Sequence, residues 1–207
     1  MAVNAAYIAQ VLQCKKLLCA GTVAERAIES LPILDKTSGG MMYGTAKHCT
    51  HLMLETYSKN IRVDLVWMQF SNIYGLGNKT GNLVSYTFGE ILNGRDALFG
   101  PAEQPYDFIY IDDLIEAIYR LGSSATHYTY YYIGSGETKQ LKEFLTRIGE
   151  LAEKKERIHI GKRPDDGIKY RSEMFDTSRL VEDIGQYVRT PFDEGIRKTI
   201  EWYKLQI

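Results

Sequence analysis

Two rhythms of apolar positions take turns along this chain: helical spacing over long segments, and short continuous apolar runs between them. Residues 5–13 carry the helical spacing and lead into 16–20, an apolar run that predicts a buried parallel strand. A loop bearing Gly39 and Gly40 is expected next. After it comes a long amphipathic helix over 42–59, opening at Met42, closing at Lys59 and stopped by Asn60, with Ala46, Cys49, Thr50, Met53, Leu54 and Tyr57 at helical spacing.

The alternation then repeats. Residues 63–70 are rich in strand formers, and a glycine-bearing loop leads to a helix over 82–92. A strand is expected at 107–111. Asp113, with Glu116 three residues on, has the form of a capping box opening a helix over 114–121. A further strand at 129–133 and helices at 139–152 and 192–205 complete the series. Strand and helix in alternation imply a parallel sheet covered by helices, the α/β class. No internal repeat, low-complexity tract or linker interrupts the 207 residues, so any subdomains must be interleaved rather than strung like beads.

Composition narrows the function. With 44% hydrophobic and 25% charged residues the chain has material for a core, and a formal net charge of -1 gives no electrostatic reason to expect nucleic acid or an anionic membrane as partner. The absence of a long apolar run and of a signal-like start leads to an expected cytoplasmic location. Cys14, Cys19 and Cys49 form no CxxC pair and sit in apolar surroundings, so reduced, buried thiols are expected rather than disulfides. His48 and His51 share a helix face, but the sequence shows no third ligand beside them, and a structural helix is the expectation, with no metal.

Candidate chemistry begins at Tyr43-Gly44-Thr45-Ala46-Lys47, where a phenol and an ammonium stand at i and i+4 on one helix face. A chain with 15 tyrosines yields such a pair by chance, so context decides its meaning. Upstream, the strand ends in Gly21-Thr22-Val23, placing a hydroxyl at the carboxyl end of a strand, where open α/β sheets bind ligands.

The strand-end hydroxyl followed by Tyr-x-x-x-Lys resembles the short-chain dehydrogenase/reductase superfamily. Later segments are similar to its extended branch of sugar-nucleotide epimerases and dehydratases: Phe70-Ser71-Asn72-Ile73-Tyr74-Gly75, then Tyr106-Asp107-Phe108-Ile109-Tyr110-Ile111-Asp112-Asp113-Leu114. Lys162-Arg163-Pro164-Asp165-Asp166, Asp176-Thr177-Ser178-Arg179-Leu180 and the run from Gly195 to Tyr203 follow in the family's order.

The resemblance implies the C-terminal part of a Rossmann-like parallel sheet with a small interleaved α/β substrate-binding subdomain. In that reading 1–207 form one domain lacking the family's N-terminal cofactor-binding half. Residues 1–75 and 107–133 form the Rossmann-like part, and 76–106 and 134–207 the substrate-binding part. The implied activity is NAD-dependent epimerisation or dehydration of a nucleotide-sugar by transient hydride transfer, with NADP not excluded.

Thr22, Tyr43 and Lys47 would be catalytic. Tyr43, Lys47 and Ser71 would meet the cofactor, and Thr22, Asn72 and Arg163 the substrate. A homodimer through helix 42–59 is implied too. Two alternatives are a non-catalytic remnant or partner-binding subunit, and an NAD(P)-dependent reductase of a small carbonyl compound. The latter gains from two departures, Tyr106 and Gln69, which stand where the family has arginines; a third, Arg26 where it has a tyrosine, keeps substrate identity from being carried over. Gly75-x-Gly77-x-x-x-Gly81 imitates a dinucleotide fingerprint, but its spacing is one residue too long and no acid follows at the right distance.

Overall fold

The computed structural model describes residues 1–29, 39–165 and 169–206. In chain order the elements are α1 (Ala2–Val11), β1 (Lys16–Thr22), α2 (Ala24–Glu29), α3 (Gly39–Ile61), β2 (Asp64–Phe70), β3 (Asn72–Tyr74), α4 (Leu83–Ile91) and β4 (Ala97–Leu98). They continue with β5 (Pro105–Tyr106), β6 (Phe108–Tyr110), α5 (Ile111–Ser123), β7 (Tyr130–Ile133), β8 (Lys139–Gln140), α6 (Leu141–Leu151), β9 (Ile158–His159), α7 (Ser178–Ile184) and α8 (Phe192–Lys204). The α/β class expected from the alternation is the one observed.

A parallel sheet in the order β1-β2-β7 forms the centre. Strand β2 is apolar almost throughout because both of its faces are covered. Leu65 and Trp67 pack with Ala6 and Leu54, against α1 and α3. Val66 and Met68 point the other way, into a core with Leu114 and Leu121 of α5 and Leu180 of α7. Each such large side chain contributes roughly 1.5–3 kcal/mol when fully buried.

A second core lies beside the sheet, where Phe88 of α4, Phe108 of β6, Phe144 and Ile148 of α6, and Ile196 of α8 are buried together. Two-stranded pairs serve this region: β3 with β6 and β4 with β9 in parallel, and β5 with β8 antiparallel. Asn82 caps α4 by accepting the Ser85 N–H, 2.9 Å away.

Several local expectations change. Gly39 and Gly40 open α3 instead of forming a loop, and the helix runs through Asn60. It ends at Ile61, before Arg62, whose φ of 55° breaks the helical repeat while the Val63 N–H reaches back to Ser58 O at 3.3 Å. Asp113 caps nothing. Helix α5 already starts at Ile111 without a side-chain cap, and Asp113 accepts the N–H groups of Arg189 and Thr190 at 3.1 and 3.0 Å, pinning the segment that leads into α8. The three cysteines are free as expected but not buried: Cys14 and Cys49 are exposed and Cys19 half-buried. Asp166 lies outside the described residues.

No helix among the described residues is long and apolar enough to cross a membrane.

Candidate active site

The carboxyl ends of the three central strands fall in line. Thr22 pairs with Phe70, and Phe70 with Ile133. The Val23 N–H continues the ladder to Phe70 O, and the Ser71 N–H to Ile133 O, each at 2.9 Å. Three residues are thereby gathered along one edge of the sheet: Thr22, Ser71 and Gly134. An edge of this kind, at the carboxyl ends of parallel strands, is where open α/β sheets take their ligands.

Helix α3 brings the ammonium of Lys47 to β1. Its second turn crosses α2 closely enough that a Cβ on Gly44 would stand 3.0 Å from Ala24 O. Lys47 donates to the carbonyl of Ala20 at 2.8 Å, two residues before Thr22, and its ammonium lies 5.9 Å from the centre of the Tyr43 ring. Tyr43 itself is half-exposed. Thr22 turns the chain: its backbone N–H goes to Glu25 Oε1 at 2.7 Å, and its Oγ1 accepts from the Ala24 N–H at 3.4 Å.

Ser71 and Asn72 are held from the neighbouring strand pair. The Ser71 hydroxyl and the Asn72 amide both donate to Asp107 O, at 2.7 and 3.1 Å. The Tyr106 hydroxyl donates to Asn72 Oδ1 at 2.8 Å. Arg163 stands in a different place. Its guanidinium stacks 4.9 Å from the centre of the Tyr86 ring and donates to the Tyr86 hydroxyl at 2.8 Å. It lines a cavity of about 340 Å³ with Gly81, Phe99, Pro101 and Gln104. The link to Asn72 runs through α4: Asn82 donates to Ile73 O at 2.8 Å and caps the helix that carries Tyr86.

The structure supplies residues that the sequence did not single out. Asp107 is fully buried and gathers the Tyr132 hydroxyl at 2.7 Å, the Ser135 hydroxyl and N–H at 2.5 and 3.2 Å, and the Gly136 N–H at 3.3 Å. Burial pushes its carboxyl up, and these donors pull against that. The Asp107 backbone carries Ser71 and Asn72 while its side chain fixes the turn after β7.

Glu25, also fully buried, plays the corresponding part below Thr22 by accepting from Trp67 Nε1 at 2.9 Å. Burial pushes its carboxyl up as well. Two of the departures prove to be partners: Arg26 donates to Gln69 Oε1 at 2.7 Å, reaches Met174 O at 2.8 Å and lies 5.1 Å from the centre of the Tyr132 ring. The loop with Gly75, Gly77 and Gly81 follows β3, which among the described residues pairs only with β6. Its three glycines all take positive φ, from 76° to 141°, so they serve a turn.

The sequence matches the profile of the NAD dependent epimerase/dehydratase family over residues 1–134. Among curated proteins it is 25% identical over 182 residues to Protein CapI of Staphylococcus aureus, covering 78% of this chain and 54% of that protein. To dTDP-glucose 4,6-dehydratase of Shigella flexneri it is 22% identical over 188 residues, covering 84% and 51%. The chain spans about half the length of these curated relatives. Among solved structures, a UDP-glucose 4-epimerase of Thermotoga maritima with UDP-glucose superposes with a TM-score of 0.82 at 19% identity, covering 99% of this chain and 68% of that one. That likeness establishes the α/β fold with Rossmann-like character.

Proposed function

Because the chain belongs to the NAD dependent epimerase/dehydratase family, we propose that it carries the catalytic set and the nucleotide-sugar pocket of an enzyme that oxidises a nucleotide-sugar transiently. One observation carries this reading. Lys47 is bonded to β1 two residues before Thr22 and stands 5.9 Å from the centre of the Tyr43 ring on the same helix, so the ammonium links the strand that carries the hydroxyl to the helix that carries the phenol.

In this account Thr22 holds a sugar hydroxyl by a hydrogen bond and Tyr43 takes its proton, and a positioned acid-base group of this kind supplies roughly 10²–10⁴ in rate. Lys47, beside the Tyr43 ring, orients the cofactor ribose. The bound nicotinamide cofactor, NAD or NADP, supplies the acceptor for hydride. Ser71 meets its nicotinamide end. Asn72 contacts the substrate near its phosphates, and Arg163, at the cavity beside Tyr86, gives the diphosphate a charge-assisted grip.

The division of the chain belongs to the same proposal: 1–75 and 107–133 as the Rossmann-like part, 76–106 and 134–207 as the part that binds the sugar nucleotide. The second aromatic core, built from α4, α6 and α8, supports it. A homodimer through α3, in the cytoplasm, completes the reading. Leu52 and Met53 of α3 and Tyr7, Ile8 and Val11 of α1 are exposed apolar residues on helices that pack against each other, a surface of the kind that marks protein association.

The test is protection against heat unfolding by UDP- and dTDP-hexoses, measured on the chain and on its Arg163→Ala and Asn72→Ala variants. Binding to the folded state raises the melting temperature with ligand concentration. The expected result is protection that both substitutions weaken. Equal protection in all three proteins would contradict the placement of the substrate.

A further inference from the structure

Two helices meet beside the strand end and bring together side chains that the chemistry described above does not use. Helix α2 carries Glu25 and Glu29, and α3 carries His48 and His51 one turn apart. One potential ligand atom from each of Glu25, His48 and His51 lies within 4.8 Å of the others. From sequence the two histidines lacked a third ligand; the fold provides it from 23 residues upstream.

His51 is the decisive residue. It is 5% exposed, and among the described residues neither of its ring nitrogens has a hydrogen-bond partner. A buried polar group left in that state pays its full desolvation penalty. The ring is also fixed in place. It lies flat against the Trp67 indole, centroids 4.8 Å apart and planes 2° from parallel, with Tyr130 edge-on at 5.9 Å. His48 Nδ1 is likewise buried without a hydrogen bond, and it stands 3.2 Å from Glu29 Oε1 outside hydrogen-bonding geometry. Packing therefore aims two unsatisfied imidazoles at a pair of carboxylates.

We propose that Glu25, His48 and His51 bind one divalent transition-metal ion of the zinc class, with Glu29 closing the fourth position at the rim. Imidazole nitrogen with carboxylate oxygen is a donor set for zinc and its neighbours, whereas calcium and magnesium take sets built of oxygen. Ligand bonds of about 2.0–2.2 Å place tetrahedral ligands about 3.4 Å apart. The present separations, within 4.8 Å, are wider than that spacing, and binding would draw the ligands together.

Glu25 is already oriented for the task. The Thr22 N–H holds Oε1, and Trp67 Nε1 and, at 3.5 Å, Gln69 Nε2 hold Oε2, so Oε1 keeps a lone pair free for an ion. Such outer hydrogen bonds are what orient metal-bound carboxylates. The ion ties α2 to α3, and so fixes the strand end at Thr22 relative to the helix that carries Lys47, next to His48. The assignment stands independently of the hydride reading.

The experiment is calorimetric titration of the chelator-treated full chain with Zn²⁺ alone, with melting temperatures recorded on the same samples. The expected result is one ion per chain with Kd on the order of 1 μM or tighter and a melting temperature that rises with Zn²⁺. Substitution of Co²⁺ should give the visible absorption of a four-coordinate ion. His48→Asn and His51→Gln should each weaken binding at least tenfold, while Cys49→Ser, at an exposed neighbouring thiol, changes nothing. Should His51→Gln fail to fold, His48→Asn decides, because that ring is partly exposed. Absence of saturable Zn²⁺ binding, unchanged affinity in His48→Asn, or loss of binding in Cys49→Ser would overturn the site.

Discussion

Lys47 donates its ammonium to the backbone carbonyl of Ala20, 2.8 Å away, and this bond ties the helix bearing Tyr43 to the strand that ends in Thr22. Ala20 is exposed, so water replaces the donor when the side chain is lost. Lys47→Met should therefore leave stability within about 0.5 kcal/mol, as for an ordinary surface change. In the chain joined to the family's N-terminal cofactor-binding half, turnover in the presence of NAD and a nucleotide-sugar should fall by about 10²-fold, the low end for a group that supports acid-base chemistry. Melting curves and initial rates on the same preparation separate the two effects. A large loss of stability with turnover per folded molecule unchanged would make Lys47 a structural tie only.

Asp107 accepts every hydrogen bond its carboxylate makes, from Tyr132, Ser135 and Gly136. Asp107→Asn turns a donor toward those donors. Leaving buried groups unsatisfied costs about 1–3 kcal/mol, and more where the lost group is charged. Urea unfolding should show a loss of that size. Because the Asp107 carbonyl still holds Ser71 and Asn72, any substrate affinity should drop less than stability does.

Gly134 leaves no room for a side chain. A Cβ there would collide with Asp107 Oδ2 and stand 2.5 Å from the Tyr132 hydroxyl. Gly134→Ala should destabilise by about 1–3 kcal/mol through overpacking. Pairing it with Asp107→Asn should give less than the sum of the two losses, since both act on one cluster. Strict additivity in a double-mutant cycle would show that the clash is relieved elsewhere.

At the opposite end of the sheet, His127 Nδ1 lies 2.5 Å from Asp183 Oδ1, and Asp183 also accepts from the Tyr131 hydroxyl. The hydrogen bond to Asp183 and its charge push the His127 imidazole up. Burial alone would push Asp183 up, but the donors Tyr131 and His127 outweigh it and hold the carboxyl below its ordinary value. A raised histidine stabilises fully below its unfolded pKa of about 6.5 and loses that contribution as pH rises through the raised value. A lowered aspartate stabilises above about 3.9 and loses that contribution as pH falls through the lowered value. The clasp is therefore strongest between about pH 4 and 6.5. The melting-temperature difference between the protein and His127→Gln should be larger near pH 5.5 than near pH 9. A difference that does not change with pH would show that His127 contributes no charge.

Much of the fold was legible because its signals are local. The apolar runs before Thr22 and Phe70 mark β1 and β2, and the spacing from Ala46 to Tyr57 marks α3. Asn82 announces the start of α4. What failed was set by distant partners. Asp113 and Glu116 have the spacing of a capping box, yet Asp113 is claimed by backbone N–H groups more than 70 residues away, which no local pattern reveals. The glycine pair at 39–40 reads as a loop, yet the helix starts there.

The candidate site divides in the same way. Thr22, Tyr43 and Lys47 stood out through the ordered family-like segments around them, since their spacing alone is matched by chance, while Glu25 and Asp107, which hold the surrounding backbone, gain their meaning only from Trp67, Tyr132 and Ser135 across the fold. Arg26 and Gln69 looked like two separate losses; as a bonded pair they are one exchange of partners.

The assignment of Tyr43 as the proton-transferring group bears the whole account, and turnover of Tyr43→Phe, in the chain joined to the family's N-terminal cofactor-binding half, with NAD and a panel of UDP- and dTDP-hexoses tests it most directly. The phenol is half-exposed, so its loss should leave the melting temperature nearly unchanged. The expected result is a fall in kcat of roughly 10²–10⁴ with nucleotide-sugar protection against unfolding retained. Turnover equal to that of the unsubstituted protein would contradict the role of Tyr43.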